Sequence, residues 1–243
     1  MIFSGSGAVE QSFRRIWTLT LAVIATCAGV LAAPVGASAQ PASSANPDLV
    51  AKCGINVMLV LDESGSIADA SGATGKVRDG AMSFISALKD TGSKVAVVEF
   101  NTEARKAFGY TTVTAANAAE NTNAGSTFYR YIYDNPDGVA PAGGYDPSEY
   151  SGGDRATNWE DALDEVIAAN SGSGSWAGSP KADIVVFFTD GNPTAWMDGN
   201  TPDYVSGSFS QTALDEAIPK ANTVKGQGSH MFGVGVGSGI NES

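Results

Sequence analysis

Two apolar runs without alternation constrain this chain more than any other feature. Residues Ile55–Leu61 (INVMLVL) and Ala182–Thr189 (ADIVVFFT) place Val, Ile, Leu, Met and Phe at neighbouring positions. A strand that alternates apolar and polar residues keeps one wet face. Runs without alternation are covered on both faces, as in a parallel sheet with helices on either side. Each run stops at an acid, Asp62 and Asp190. Parallel neighbours present their carboxyl ends at one edge, and open α/β sheets bind ligands in the crevice beyond that edge. Both carboxylates are therefore expected to face the same crevice.

The rest of the chain alternates strand and helix. Lys76–Lys89 places Val77, Ala81, Phe84, Ile85 and Leu88 on one helical stripe, Lys94–Phe100 reads as a second buried strand, and Ala107–Val113 as a short edge strand. Asn158–Ala169 predicts another helix and Met231–Val236 a last strand. Ser210–Lys225 has helical spacing interrupted by Pro219, which predicts a kink, or two helices with the proline near the start of the second. The pattern predicts an α/β fold in three layers: a Rossmann-like, doubly wound, mostly parallel sheet with helices on both faces. There is no internal repeat.

The first 39 residues are a different kind of text. Arg14 and Arg15 precede an apolar run from Ile16 to about Ala33, followed by Pro34 and Ala37-Ser38-Ala39. That layout predicts a signal peptide over residues 1–39 and an exported protein, with no membrane insertion after cleavage. Residues 40–52 then read as a Pro/Ser/Ala-rich linker and residues 53–243 as the domain. Cleavage removes Cys27 and leaves Cys53 as the single thiol, for which a disulfide partner outside this chain is expected. It also moves the net charge from −12 to −13, which argues against binding nucleic acid or an anionic membrane through bulk electrostatics.

Asp62, Ser64 and Ser66 follow one another at every second position, and with Asp190 they form an all-oxygen set. Such hard ligands suit Mg²⁺, Mn²⁺ or Ca²⁺ rather than zinc or copper. His230 is the only histidine, so clusters of the usual transition-metal type are excluded. The alternative reading is a polar loop whose acid caps the next helix. Two other strings carry less. Gly72-Ala73-Thr74-Gly75-Lys76 lacks both the leading glycine and the trailing Ser or Thr of a phosphate loop. Asp134-Asn135-Pro136-Asp137-Gly138 lacks the bidentate glutamate of a calcium loop.

These residues resemble the von Willebrand factor type A domains over roughly Gly54–Gly239. The metal-ion-dependent adhesion site of that family joins a D-x-S-x-S loop, a threonine from a second loop and an aspartate from a third. Here the first is Asp62-Glu63-Ser64-Gly65-Ser66, and the third is Asp190 in Phe188-Thr189-Asp190-Gly191. Thr157, in Ala156-Thr157-Asn158-Trp159-Glu160-Asp161-Ala162-Leu163, matches the second, with Thr127 of Gly125-Ser126-Thr127 as a rival that no apolar-periodic helix directly follows. Ala156 stands where the family usually has glycine, a position expected to be less free in its backbone. The family adds a further helix and a sixth strand after the segment resembling Met231–Gly239, so the domain is expected to be C-terminally incomplete.

The resemblance implies a secreted or cell-surface protein that binds a protein ligand through Mg²⁺, or Mn²⁺ or Ca²⁺. Asp62, Ser64, Ser66, Thr157 and Asp190 would hold the cation, and an Asp or Glu of the partner would complete its shell. No enzymatic activity is expected. The alternatives are a structural domain with a degenerate site and a metal-assisted hydrolase with Glu63 or Asp161 as base. Phe128, Tyr129, Tyr131, Tyr133, Tyr145, Tyr150, Trp196 and Tyr204 are placed near the metal face, where they either form a binding hot spot or pack the long loops.

Overall fold

The structure, a computed structural model, describes residues 40–49, 52–69, 72–121, 123, 125–133, 144–147 and 155–236. The signal-peptide expectation lies outside the described residues, as do Tyr150 and the Asp134–Gly138 string. The described residues all belong to the unit Gln40–Ser243, and no described helix is long and apolar enough to cross a membrane.

Strands β1 (Asn56–Asp62), β2 (Lys94–Phe100) and β3 (Ala104–Thr112) precede β4 (Ile184–Thr189), the short pair β5 (Ala195–Asp198) and β6 (Thr201–Tyr204), and β7 (His230–Gly235). The main sheet has five strands in the order β3-β2-β1-β4-β7, with β5 and β6 forming a separate antiparallel hairpin. β1 is central and parallel to both β2 and β4, β7 is parallel to β4, and only β3 runs antiparallel. The register sets Asp62 opposite Phe100 on one side and Leu61 opposite Phe188 on the other, so the carboxyl ends of β1, β2 and β4 share an edge.

Helices α1 (Gly65–Asp69), α2 (Ala73–Ala87), α3 (Thr127–Ile132), α4 (Trp159–Ser171) and α5 (Gln211–Gly226) complete the fold. The missing alternation in β1 has a direct cause. Val57, Leu59 and Leu61 enter one core with Val77, Ala81 and Ile85 of α2 and with Phe128, Tyr131 and Ile132 of α3. Met58 and Val60 enter a second core with Ala162, Leu163 and Val166 of α4 and with Ala217 and Val224 of α5. Both faces are dry, which is the doubly wound, mostly parallel α/β architecture expected from the sequence.

Two expectations need correction. Of the two readings for Pro219, a kink or two helices, the second falls: α5 is one helix through Pro219. Pro219 sits on the exposed face of α5, while Ala213, Ala217 and Val224 are buried on the other side. A helix does follow Thr127: α3 is only six residues long, and Phe128, Tyr131 and Ile132 anchor it in the first core. Its shortness left too little period to read.

Residues 42–47 build no core but are tied to the domain by polar contacts. The Asn222 amide accepts from the Ser44 backbone N–H (2.6 Å) and donates to the Ala42 carbonyl (2.8 Å), and Lys225 donates to the Ser44 carbonyl (2.7 Å). Asn46 accepts from the Met231 N–H (3.0 Å) and donates to the Met231 carbonyl (2.9 Å). That side chain imitates one rung of a β-ladder on the outer edge of β7.

Candidate cation site

The site grows from the last residue of β1. Asp62 is fully buried, and both its oxygens are held: Ser64 N–H donates to Oδ1 at 2.8 Å and the Thr189 hydroxyl to Oδ2 at 2.6 Å. A carboxylate offers about four lone-pair positions, so each oxygen keeps acceptor capacity. The Ser64 and Ser66 hydroxyls lie 3.1 Å apart, and Ser66 donates to Oδ1 of Asp190 at 2.7 Å. Hydroxyl–hydroxyl and hydroxyl–carboxylate bonds thus join Ser64, Ser66 and Asp190, and the Ser64 backbone N–H ties them to Asp62. Ser66 is exposed, so the set opens to solvent there.

Gly65 gives the loop its tight path. A Cβ at this position would meet Nε of Arg155 at 2.9 Å, and Arg155 donates to the Gly65 carbonyl at 3.2 Å.

Thr157 lies on the loop that enters α4. Its N–H donates to the Thr194 hydroxyl at 2.9 Å, and its carbonyl accepts from Thr194 N–H (2.9 Å) and Ala195 N–H (3.1 Å), just beyond Asp190. From the other side, Ala156 N–H donates to the Thr102 hydroxyl (3.0 Å) and Asn158 N–H to the Asn101 carbonyl (2.8 Å). Asn158 caps α4 by accepting from Asp161 N–H at 3.1 Å. The Thr157 loop is therefore clamped between the loops that follow β2 and β4. Its hydroxyl makes no hydrogen bond among the described residues and is not joined to the Asp62 set. Asp90 is the one described non-glycine residue with positive φ, so Ala156 does not need the freedom of glycine. The Thr127 hydroxyl is turned back on the Gly125 carbonyl (3.5 Å).

Burial raises the Asp62 carboxyl to about 6, against the lowering effect of its hydrogen bonds with Ser64 and Thr189, and the nearby Asp190 charge raises it further. Burial likewise raises Asp190, opposed by the Ser66 hydrogen bond. Two carboxylates held close in a desolvated place favour a cation between them. Among the described residues no three His, Cys, Asp or Glu side chains converge, so a cation here would rest on two carboxylates and on hydroxyls. Oxygen donors of this kind fit a hard divalent ion.

Both candidate bases are engaged by neighbours within the chain. The buried Glu63 carboxylate is paired with Arg105 at 3.2 Å and accepts from Asp146 N–H at 3.2 Å. Asp161 accepts from Ala104 N–H at 2.6 Å, and its carboxyl is raised by burial. His230 lies at the start of β7, where its ring nitrogen is 2.9 Å from the Pro47 carbonyl. An apolar cavity of about 250 Å³ lies behind Thr189, between α4, α5, β4 and β7, and is lined by Trp159, Leu163, Phe187, Leu214 and Ile218. It brings no further carboxylate to the site.

Most of the expected aromatic cluster is structural. Phe128, Tyr131 and Tyr145 are buried, while Tyr129 and Tyr133 pack against the first core. Tyr204, the last residue of β6, is 51% exposed, and the exposed Val205 and Phe209 follow it. Sequence reasoning missed Thr189 as a partner of Asp62, although it directly precedes the third motif. It also missed the pairing of Glu63 with Arg105, which no local pattern signals.

No protein-family model and no curated protein matches this chain. Solved von Willebrand factor type A domains are among its structural neighbours. The vWF domain of the type V pili tip protein Mfa5 from Porphyromonas gingivalis is 15% identical, with a TM-score of 0.38 over 60% of this chain and 41% of that one. Proximal thread matrix protein 1 from the mussel byssus, in a structure with a zinc-occupied MIDAS motif, is 20% identical, with a TM-score of 0.46 over 76% of this chain and 39% of that one. An aerotolerance-related membrane protein from Bacteroides fragilis is 17% identical, with a TM-score of 0.46 over 76% of this chain and 68% of that one. The chain thus spans about two fifths of the length of the pilus-tip and thread-matrix chains.

Proposed function

We propose that this chain is an exported binding protein of the adhesion type that engages a protein partner through a divalent cation. Asp62, Ser64, Ser66, Thr157 and Asp190 would hold Mg²⁺, or Mn²⁺ or Ca²⁺ in its place, and an Asp or Glu of the partner would complete the shell. The observation that carries this reading is the oxygen-only set at the carboxyl ends of β1 and β4, open to solvent at Ser66. The cation would supply a fixed positive centre for the incoming carboxylate, and the residues of the chain would orient it.

The exposed Tyr204, Val205 and Phe209 support a protein ligand. Val205 N–H donates to the Thr194 carbonyl at 3.0 Å, and Thr194 is four residues past Asp190, a distance of at most about 14 Å along the chain. One ordinary interface of about 800 Å² per partner covers both the site and this apolar rim. The test is Mn²⁺ calorimetry on the protein lacking residues 1–39, followed by partner capture with and without EDTA. The expected result is one Mn²⁺ site that Asp62→Ala or Asp190→Asn abolishes in a folded protein. Unchanged Mn²⁺ binding in both variants would overturn the reading.

A further inference from the structure

Behind the Asp62–Ser66 loop, buried contacts form a closed ring. The Tyr145 hydroxyl donates to the Asp62 carbonyl at 2.7 Å. Next along the chain, the Glu63 carboxylate meets the Arg105 guanidinium at 3.2 Å, which also meets Glu99 at 2.8 Å. The Tyr131 hydroxyl donates to Glu99, and the Tyr131 carbonyl accepts from Tyr145 N–H at 2.9 Å, which closes the circuit. Tyr145, Tyr131, Glu63 and Glu99 are all buried, while Arg105 is about half exposed.

Residues 144–147 are fastened to the cation loop from this side. Asp146 N–H donates to Glu63 at 3.2 Å, Arg78 of α2 donates to the Tyr145 carbonyl at 2.7 Å, and Glu63 N–H is fixed to the Phe100 carbonyl at 2.7 Å. The Asp62–Glu63 peptide is thus held by Tyr145 at its carbonyl and by Phe100 at its N–H, while Asp146 holds the Glu63 side chain. In a largely buried network whose members all have partners, one group moves with its neighbours.

We propose that Tyr145 and Glu63 are positioning residues that couple cation occupancy to residues 144–147. The inference rests on the cation reading above. Filling the site fixes Asp62, and Asp62 and Glu63 fix Tyr145 and Asp146 through the ring. By linkage, whatever orders residues 144–147 strengthens cation binding to the same degree.

The test uses the protein lacking residues 1–39, with Mn²⁺ as the probe. Calorimetry gives the affinity of the wild type, Tyr145→Phe, Glu63→Gln and the double variant, and hydrogen exchange of a peptide covering 144–146 is followed with and without Mn²⁺. The expected result is slower exchange there when Mn²⁺ binds the wild type, and about tenfold weaker Mn²⁺ binding with loss of the slowing in each single variant. The double variant should be little worse than either single one. Circular dichroism in EDTA checks that the variants fold, and Glu63→Gln serves if Tyr145→Phe does not. Wild-type Mn²⁺ binding with unchanged exchange at 144–146, or single variants that bind as tightly as wild type, overturns the coupling alone. A wild type that does not bind Mn²⁺ overturns the cation reading and the coupling with it.

Discussion

Thr189 holds Asp62 from the neighbouring strand, its hydroxyl 2.6 Å from Oδ2 while the Ser64 N–H holds Oδ1 at 2.8 Å. A group that fixes the orientation of a buried carboxylate also fixes where a cation can sit. Thr189→Val keeps the shape and removes the donor. The expected cost is about 1–3 kcal/mol in urea unfolding with EDTA present, together with weaker Mn²⁺ binding by calorimetry.

The raised Asp62 carboxyl sets a pH dependence in the cation-free protein. Folding lifts it from 3.8 to about 6, so the folded chain keeps this proton to higher pH than the unfolded chain does. The contribution to stability is therefore greatest below 3.8, declines as pH rises towards about 6, and is flat above that. The decline is on the order of 3 kcal/mol for a shift of about two pH units. Urea titrations in EDTA from pH 4 to about pH 7 should show wild type losing stability relative to Asp62→Asn, and replacing EDTA by saturating Mn²⁺ at about pH 7 should stabilise the wild type and leave Asp62→Asn unchanged.

Buried and exposed tyrosines should behave differently. Tyr131 is 1% exposed and donates to Glu99, so Tyr131→Ala is expected to destabilise by about 3–5 kcal/mol. It therefore cannot report on binding. Tyr204→Ala, at an exposed position, should change stability by less than about 0.5 kcal/mol. Paired measurements of melting temperature and partner capture would separate the two, with capture reduced in Tyr204→Ala.

The Asn46 amide is expected to protect the β7 edge. Asn46→Ala removes both bonds to Met231 and should cost less than about 1 kcal/mol, because the contact is exposed. It should also raise self-association, measured by sedimentation velocity.

Much of the sheet was legible because burial on two faces writes itself into consecutive apolar residues, as in Met58–Leu61 and Val95–Val98. The D-x-S-x-S loop and the Asp190 turn were legible because strand ends carry the polar residues. The β5–β6 hairpin was not, since its strands are four residues long and include Pro202 and Asp203. Residues 42–47 gave no sign either, because side-chain amides and an ammonium group hold them and leave no periodicity. The Glu63–Arg105–Glu99 grouping was also hidden. Glu63 and Arg105 are 42 residues apart, and only the antiparallel register of β3 on β2 brings Arg105 opposite Glu99.

The contacts of residues 42–47 also fix where this segment lies relative to the site. They meet β7 at His230 and Met231, where that strand begins, whereas Asp62 and Asp190 lie where the parallel strands end. Six residues of strand separate the two levels, roughly 20 Å. Residues 42–47 and the oxygen-lined mouth therefore occupy opposite ends of the sheet, so that a partner seated on the mouth leaves the contacts of Asn46 and Asn222 undisturbed.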